Sequence, residues 1–349
     1  MDFIDQYRIQ RPSYEILATR LQDLLHYLAK ANKIEVHTIE SRAKTLESFS
    51  EKVSRPGKTY QNPLEDITDL CGLRVILYYQ EDVHHLAKLI REEFNVDDKR
   101  SGDKRDELRS DQFGYISVHL ICQLGDNRNN LPEWRDYRDL RAEIQVRTVL
   151  QHAWASISHA LQYKNKSDIP EQFMRQMTRI AGLLELSDEQ FSSLREKTST
   201  LRSEVGKSLA SSNLQVTINS VALEQFLETS ELAIEIENYS RDAGNTIMQT
   251  FTTNQLLSTC RAFEILKLSE LSAILGAFIP HAREFFEAFK ILQGEDNSGD
   301  RDHWVAMAVV AMKGGSGKEQ FILEEGHWHE GYLKDTLQAA MQAKIKPEQ

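Results

Sequence analysis

The sequence of 349 residues is poor in the residue types that mark several protein classes. Cysteine occurs only three times, as Cys71, Cys122 and Cys260, and no CxxC pair is present, so neither a disulfide framework nor a zinc site is indicated. Seven prolines and 16 glycines exclude a collagen-like or largely disordered chain. The apolar run Val305–Met312 is far shorter than the roughly 18 residues of a spanning helix. We therefore expect a cytoplasmic protein that makes no use of a membrane.

Basic residues are scarce in the second half of the chain. Residues 1–170 hold 25 Lys and Arg against 27 Asp and Glu, whereas residues 171–349 hold 17 against 26, which together give the net charge of −11. This balance argues against indiscriminate binding to duplex nucleic acid. A polyanionic ligand must then be recognised by a local cluster of Lys and Arg.

The first half of the chain alternates helical and strand-like patterns. Leu17, Leu21 and Leu28 recur at helical spacing, and three later segments are rich in β-branched and aromatic residues. This alternation predicts an α/β (α+β) fold with a mixed sheet flanked by helices. The predicted helices are 12–32, 39–53, 83–93 and 148–164, and the predicted strands are 73–79, 115–122 and 140–147.

The second half of the chain has no convincing strand pattern. Helical spacing recurs from residue 171, around 223–239 and over 253–292, which predicts an all-α C-terminal domain at 214–349. The segment 196–213 is rich in serine and poor in apolar residues, so we expect a linker there. The acidic helical domain could regulate the first domain, bind a partner or form a homo-oligomer, and a plain stabilising role is equally open.

Cationic side chains recur in the second predicted helix. Lys44, Ser48 and Lys52 are spaced by four residues, so on a helix they share one face, and Arg42 lies just before them. Two or three cations with a hydroxyl suit a triphosphate. Taken alone, the pattern is more typical of a solvated charged face.

Two carboxylates and two arginines border the predicted strands. Asp69 directly precedes the first strand and Arg74 lies within it, where an unpaired cation is costly unless it binds an anion. In the third strand the polar side chains alternate with apolar ones and share one face; they are Glu143, Gln145 and Arg147. Asp69 and Glu143 could hold Mg²⁺ beside a substrate phosphate. An ordinary solvent face with a salt bridge is the alternative.

Polar and aromatic residues also alternate in the second predicted strand. Tyr115, Ser117 and His119 share one face of it. An aromatic ring near cations provides a surface on which a base can stack. A core tyrosine with a hydrogen-bonded histidine is the alternative.

Five ordered motifs resemble the synthetase domain of the RelA/SpoT alarmone synthetases. They are RAKTLESFSEK, DLCGLR, GYISVH, EIQVRT and HAWASISHALQYK, and the resemblance covers roughly residues 12–195. It implies a nucleotidyltransferase-like pyrophosphokinase domain at 1–195, without the hydrolase domain of that family. The implied reaction is Mg²⁺-dependent transfer of the β,γ-pyrophosphate of ATP to the 3′-hydroxyl of GDP or GTP. The product would be the alarmone (p)ppGpp of a stringent response.

The resemblance also implies a role for each candidate residue. Asp69 and Glu143 would be the catalytic acids and the Mg²⁺ ligands, and Glu143 would help to activate the 3′-hydroxyl. Tyr115 would stack on guanine, and His119, Gln145 and Arg147 would surround the acceptor nucleotide. The implied ATP contacts are Arg42, Lys44, Ser48, Lys52 and Arg74.

Some positions depart from the family pattern and leave the acceptor open. Many members have Arg or Gln where this chain has Ile116, and acids where it has Ser156 and Ser158. One alternative is therefore a toxin or defence enzyme that modifies the tRNA 3′ end or an adenine nucleotide. A second alternative is a nucleotide sensor that has lost its activity.

Overall fold

The computed structural model describes residues 2–55, 57, 59–103, 117–160, 171–248, 252–294, 297–314, 323 and 328–346. Two compact units divide the chain, residues 1–195 and residues 196–349, and each has a hydrophobic core of its own. Among the helices in those ranges, none is both long enough and apolar enough to cross a bilayer.

The first unit is a six-stranded sheet with helices. The strands are β1 (Val36–Ala43), β2 (Cys71–Leu77), β3 (Phe94–Val96), β4 (Gly102–Asp103), β5 (Val118–Leu124) and β6 (Ala142–Thr148). The helices are α1 (Phe3–Ala31), α2 (Leu46–Val53), α3 (Pro63–Asp66), α4 (Gln80–Glu93), α5 (Asp126–Asn129) and α6 (Val149–Ala160). Helix α7 (Glu171–Ala210) begins in this unit and ends in the second.

Parallel and antiparallel pairs are combined in the sheet, whose strand order is β1-β2-β6-β5-β3, with β4 also paired to β5. Strands β2 and β6 are parallel, and the other pairs are antiparallel. In the central parallel pair, Gly72 lies opposite Glu143, and Arg74 lies opposite Gln145. The strands that carry the candidate residues are therefore neighbours in the sheet.

The two faces of the sheet have different chemistry because side chains alternate along each strand. On one face Val75, Ile144 and Val146 are fully buried in the core that α1 and α4 complete. The opposite face carries the polar side chains of β2 and β6, and Arg74, Glu143 and Gln145 line a cleft there. The polar face is thus the place where a ligand can reach the sheet.

The predicted helix 39–53 is wrong in its first part. Residues 36–43 form the edge strand β1, antiparallel to β2, and the helix begins only at Leu46, where the Thr45 side chain accepts a hydrogen bond from the backbone N–H of Ser48. Pairing with β2 buries Ile39 to 4% exposure, which outweighs a local helical tendency. Arg42 therefore lies on a strand and Lys44 in a turn.

The second unit is helical. Its helices after α7 are α8 (Ser220–Thr229), α9 (Glu231–Asp242), α10 (Asn254–Ala262), α11 (Leu268–Phe278), α12 (Ala282–Gln293), α13 (Arg301–Lys313) and α14 (Glu330–Gln342). The two-residue strands β7 (Thr246–Ile247) and β8 (Ser298–Gly299) form a parallel pair. Helix α13 is apolar on all sides, as expected of a buried helix, and every residue from Trp304 to Met312 is buried. The predicted fold class, a mixed sheet with helices followed by a helical region, is confirmed.

The segment expected to be a linker, 196–213, is helical up to Ala210, because α7 continues through it. Ser199 and Ser203 are exposed on this helix, and Val205 is buried in the core of the second unit. The low apolar content of this segment is that of a helix that buries only one of its sides. The predicted helix 253–292 is likewise interrupted and forms α10, α11 and α12.

Candidate active site

A cleft with about 430 Å³ of empty space lies on the polar face where β1, β2 and β6 adjoin. Five of the predicted site residues line it: Arg42, Asp69, Arg74, Glu143 and Gln145. Gly72 also lines the cleft, and a side chain at this position would project into it, since the nearest atom to a built Cβ is 4.0 Å away. The glycine thus leaves space in the cleft beside Glu143, which it opposes in the sheet.

Two lysines hold the carboxylate of Asp69, which lies in the turn before β2. The Nζ atoms of Lys44 and Lys52 lie 2.5 Å and 2.8 Å from its two oxygens. Burial on its own raises the pKa of Asp69, but the hydrogen bonds and charges of the two lysines outweigh it, so the net shift is downward. Asp69 is therefore ionised at neutral pH, at the centre of a cluster with a net positive charge.

The backbone at Lys44 is fixed by helix α1. The hydroxyl of Tyr7 donates to the Lys44 carbonyl oxygen over 2.7 Å, and Nε of Arg11 donates to the same oxygen over 3.2 Å. Tyr7 is fully buried and stacks on Phe49 of α2, with the ring centroids 4.4 Å apart. These contacts hold the turn that places the Lys44 ammonium group against Asp69.

Three side chains hold the carboxylate of Glu143 on β6. Nδ1 of His119 and Nε2 of Gln145 lie 3.0 Å and 2.9 Å from its Oε1, and the Thr68 hydroxyl donates to Oε2 over 3.2 Å. Burial on its own raises the pKa of Glu143. The hydrogen bonds of His119 and Gln145, the charge of His119 and the hydrogen bond of Thr68 outweigh it and lower the pKa to about 2.

His119 links Glu143 to Ser117. A carboxylate only accepts hydrogen bonds, so Nδ1 of His119 carries the hydrogen that faces Glu143. Nε2 lies 2.9 Å from the Ser117 hydroxyl and accepts from it when the imidazole is neutral. The chain Ser117, His119, Glu143 fixes both the tautomer of the imidazole and the orientation of the acid.

Arg147 and Arg74 lie farther along the same face. Nη2 of Arg147 donates to Oε1 of Gln145 over 3.2 Å, and Arg147 is only 5% exposed. Nη1 of Arg74 lies 3.4 Å from Oε2 of Glu40, in a pair that is open to solvent. Burial, followed by the charge of Arg74, lowers the pKa of Arg147 to about 10, and Glu40 acts in the opposite direction.

The structure brings most of the predicted site residues together on this face. Lys44 and Lys52 meet at Asp69, and His119, Gln145 and Arg147 form one hydrogen-bonded chain with Glu143. Ser48 is exposed on α2, and its described hydrogen bonds are to Thr45. Tyr115, predicted to stack on guanine, lies outside the described residues, as does Ile116.

Three supporting residues were not identified from the sequence. Thr68 precedes Asp69 and binds Glu143 on a strand 75 residues away, a contact that no local pattern reveals. Tyr7 acts from helix α1 through a backbone oxygen. The sequence pattern places Glu40 in a helix, and its position opposite Arg74 follows only from the register of β1 and β2.

A metal ion at this cleft would have few protein ligands. Within the residues that the structure describes, no group of three or more His, Cys, Asp or Glu side chains is placed to hold a metal. Asp69 and Glu143 line the same cleft and are both ionised at neutral pH. This donor set suits Mg²⁺, which is commonly bound by one or two carboxylates together with substrate phosphates.

Comparison with known proteins gives matches in the segment that carries this site. The family model described as "Region found in RelA / SpoT proteins" matches residues 41–168. GTP pyrophosphokinase YwaC of Bacillus subtilis is 30% identical over 169 residues, which are 48% of this chain and 76% of YwaC. GTP pyrophosphokinase YjbM of the same organism is 27% identical over 195 residues, 55% of this chain and 87% of YjbM.

Solved structures with similarity to the chain include two from the same organism. Small alarmone synthetase 2 from Bacillus subtilis gives a TM-score of 0.45 at 22% identity, over 55% of this chain and 98% of that protein. Small alarmone synthetase 1 from Bacillus subtilis bound to its product pppGpp gives a TM-score of 0.45 at 24% identity, over 55% of this chain and 97% of that protein.

The family model spans every position from Arg42 to Arg147 at which a site residue was predicted. The resemblance seen in the five motifs is thereby confirmed, with a curated relative at 30% identity of which this chain covers more than two thirds. The chain belongs to the RelA/SpoT family.

Proposed function

We propose that the protein transfers the β,γ-pyrophosphate of ATP to the 3′-hydroxyl of GDP or GTP and so makes (p)ppGpp. The observation that carries the proposal is a cleft lined by two ionised carboxylates and two arginines, in which one carboxylate, Asp69, binds two lysines suited to phosphates. The curated relatives named above are GTP pyrophosphokinases, which supports the same reaction class.

In the proposed reaction the 3′-oxygen of the acceptor attacks the β-phosphorus of ATP. The bond from this phosphorus to the α,β-bridging oxygen breaks, AMP leaves with that oxygen, and the hydroxyl proton passes to a base. The protein contributes little covalent chemistry to such a transfer. Most of the rate enhancement comes from positioning the two substrates and from electrostatic stabilisation of the phosphates. The residues of the cleft can be assigned on this basis.

Lys44 and Lys52 bind the ATP phosphates in this proposal, with Arg42 and Arg74 at the cleft wall. Their ammonium groups now bind Asp69, and a polyphosphate chain would compete for them. Lys44 is held on its backbone side by Tyr7 and Arg11, so its position is preorganised. We assign to Ser48, one turn before Lys52 on α2, a supporting contact with the same phosphates.

Asp69 and Glu143 would hold Mg²⁺. When bound, the ion would neutralise charge on the transferred phosphates. Because its pKa is about 2, Glu143 is a weak proton acceptor in the free protein. We therefore assign it chiefly to orienting the 3′-hydroxyl, and it becomes a stronger base only when the acceptor displaces one of its hydrogen bonds.

The acceptor is tested by offering ATP labelled at the γ-phosphate together with GDP, GTP, ATP or deacylated tRNA. We expect label on GDP or GTP, with one AMP released for each transfer. Label on tRNA alone, or on an adenine nucleotide alone, would support the corresponding alternative enzyme. Nucleotide binding without AMP release under every condition would support the sensor.

Glu143→Gln tests the assignment of the acid. We expect AMP release with GDP to fall at least about hundredfold, the scale of one lost catalytic contact, while the circular dichroism spectrum is unchanged. Glu92→Gln, an exposed acid on α4, is the matched control and should keep wild-type activity. Near wild-type AMP release by Glu143→Gln would show that the acid is assigned incorrectly.

A further inference from the structure

Helix α7 carries a row of large apolar side chains at its surface. They are Phe173, Ile180, Leu183, Phe191, Leu194 and Leu201, and their exposed fractions lie between 37% and 63%. Each residue of an α-helix is rotated by about 100° from the one before it, so the six positions lie within an arc of about 80°. The other α7 positions in this arc between Phe173 and Leu201 are Gln176, Ser187 and Thr198, and none of them is charged. We call this arc the α7 stripe.

The α7 stripe is distinct from the side of the helix that packs against the first unit. Ala181 and Asp188 are both buried, and the Asp188 carboxylate accepts a hydrogen bond from the Thr148 hydroxyl over 2.7 Å. The Ser192 hydroxyl donates to Oε2 of Glu81 over 2.6 Å. These α7 residues lie about a third of a turn around the helix from the centre of the α7 stripe. The stripe is therefore a second face of the helix and not the margin of the core.

The order of residues along the α7 stripe is symmetric about Ser187. The pairs equidistant from it are Phe173 and Leu201, Ile180 and Leu194, Leu183 and Phe191, and the polar Gln176 and Thr198. In an antiparallel pair of α7 helices with a two-fold axis at Ser187, each of these residues lies opposite its counterpart in the other copy. Apolar positions then meet apolar positions along the whole stripe, and a small side chain lies at the axis.

The exposed area of the α7 stripe is sufficient for a stable dimer. At about 180 Å² for one large side chain, the six exposed fractions amount to roughly 500 Å² of apolar surface per copy. A standard interface buries about 800 Å² per partner, and about 65% of a homodimer interface is apolar, which is again roughly 500 Å². The stripe from Phe173 to Leu201 is about 42 Å long, or about four heptads of a coiled coil.

We propose that the protein is a homodimer in which the α7 stripe packs against the α7 stripe of a second copy, antiparallel and with the two-fold axis at Ser187. A contact of this kind is isologous, since the same surface of each copy is used and the assembly closes at two subunits. A helix of a different protein could also cover an apolar stripe, but it would not require the symmetry about Ser187. The inference goes beyond the proposed function and does not depend on it.

An exchange of charges tests which residues meet. In sedimentation velocity we expect the full wild-type chain to be a dimer at micromolar concentration. Ile180→Glu or Leu194→Lys alone places unpaired charges in the interface and should weaken the dimer at least about hundredfold, the scale of a buried unpaired charge. In the double variant each Glu lies opposite a Lys of the other copy, so the affinity should recover at least about tenfold.

Ile291→Glu is the matched control for these substitutions. Ile291 lies on α12 and is 81% exposed, so the same change of an exposed isoleucine to an acid should leave the dimer unaffected. Ile180 and Leu194 are about half exposed in a single copy, so we expect each variant to fold. Circular dichroism checks this expectation, and recovery of the dimer in the double variant would exclude misfolding as the cause of its loss in the single variants.

A cross-link tests the position of the axis. Cys71, Cys122 and Cys260 are all buried, so a disulfide between two copies under mild oxidation reports an introduced thiol. Ser187→Cys places the same thiol of both copies at the proposed axis, and we expect a covalent dimer. Ser199→Cys, at an exposed serine of α7 outside the stripe, is the control and should give no covalent dimer.

Three results would overturn the inference. A wild-type chain that stays monomeric up to its solubility limit would exclude the dimer. A dimer that is unaffected by both Ile180→Glu and Leu194→Lys would show that another surface is used. Loss of the dimer in both single variants without recovery in the double variant, or no covalent dimer of Ser187→Cys, would contradict the antiparallel register. None of these measurements involves AMP release, so the dimer and the proposed function can fail separately.

Discussion

Nδ1 of His119 lies 3.0 Å from Oε1 of Glu143, across the antiparallel pair of β5 and β6. The two residues are 24 positions apart, and their contact depends on the register in which His119 is opposite Gln145. A shift of one residue would turn either side chain to the apolar face of the sheet. The pairing of β5 and β6 therefore determines which hydrogen bonds Glu143 accepts, and with them its ionisation.

The low pKa of Glu143 predicts a specific acid sensitivity. Its pKa is about 2 in the folded protein and near 4.5 in the unfolded chain, so it stabilises the fold above pH 4.5, and this stabilisation is lost as the pH falls from 4.5 to 2. Glu143→Gln should remove this contribution. Hydrogen exchange at β5 and β6, measured between pH 5 and pH 3 and corrected for intrinsic rates, should then depend less on pH than in the wild type.

The exposed acid Glu92 provides the control for this measurement. Glu92→Gln should leave the pH dependence of exchange at β5 and β6 unchanged. An equal pH dependence in the wild type and in Glu143→Gln would contradict the interpretation that the hydrogen bonds of Glu143 stabilise the sheet.

The Lys44 and Asp69 pair should couple strongly in a double-mutant cycle. Asp69→Asn leaves the ammonium group of Lys44, which is 9% exposed, without its carboxylate, and we expect a loss of about 2–3 kcal/mol in the free energy of unfolding. Lys44→Met in addition should recover part of this loss, because the unpaired cation is then absent. Urea unfolding measures all four proteins.

The exposed pair of Lys88 and Glu92 is the control cycle. Their charged atoms lie 3.8 Å apart on the surface of α4, so the coupling should be within about 0.5 kcal/mol of zero. Additive effects of Lys44→Met and Asp69→Asn would show that the buried contact does not contribute to stability.

The central strands and the polar face could be predicted because their signals are local. The alternation of Glu143, Gln145 and Arg147 with Ile144 and Val146 requires only the two-residue period of a strand. The structure has β6 at Ala142–Thr148, within two residues of the predicted 140–147. The side chains of such a strand share a face wherever the strand lies in the sheet.

The edge strand β1 could not be predicted in the same way. Its sequence VHTIESRA contains polar residues on both faces, as is common for a strand at the edge of a sheet, and its strand state depends on pairing with β2. Placing Lys44 on a helical face was wrong for this reason. The lysine still reaches Asp69 because the turn between β1 and α2 presents it there.

In the helical unit two adjacent buried groups should have opposite pH effects. Burial raises the pKa of Asp302 to about 7, although the N–H groups of Gln255 and Leu256 oppose this shift, and burial lowers the pKa of His303 to about 4. As the pH falls from 7 to 4, Asp302 binds a proton more readily in the folded state and stabilises it. His303 binds one more readily in the unfolded state and destabilises the fold below about pH 6.5.

Single substitutions should separate these two contributions. In His303→Gln the free energy of unfolding should rise as the pH falls from 7 to 4, and in Asp302→Asn it should fall steeply below pH 6.5, each by up to about 1.4 kcal/mol per pH unit. Urea midpoints between pH 4 and pH 8 measure this dependence, with the exposed Asp242→Asn as control. Wild-type pH dependence in both variants would contradict the assignment.

The role of residues 196–349 can be tested with a fragment whose end is chosen from the structure. The Arg195 guanidinium lies 2.6 Å from Asp82 and over the ring of Tyr79, so the fragment must include it, whereas Val205 is buried in the core of the second unit. A fragment of residues 1–200 meets both conditions.

If the acidic helical unit regulates the catalytic face, pyrophosphate transfer by the fragment should differ several-fold from that of the full chain. The rate should also depend differently on salt concentration, because salt screens interactions between charges. Circular dichroism shows whether the fragment is folded. A folded fragment with the same rate and the same salt dependence as the full chain would exclude autoregulation, and the helical unit would then be studied as a binding or self-association domain.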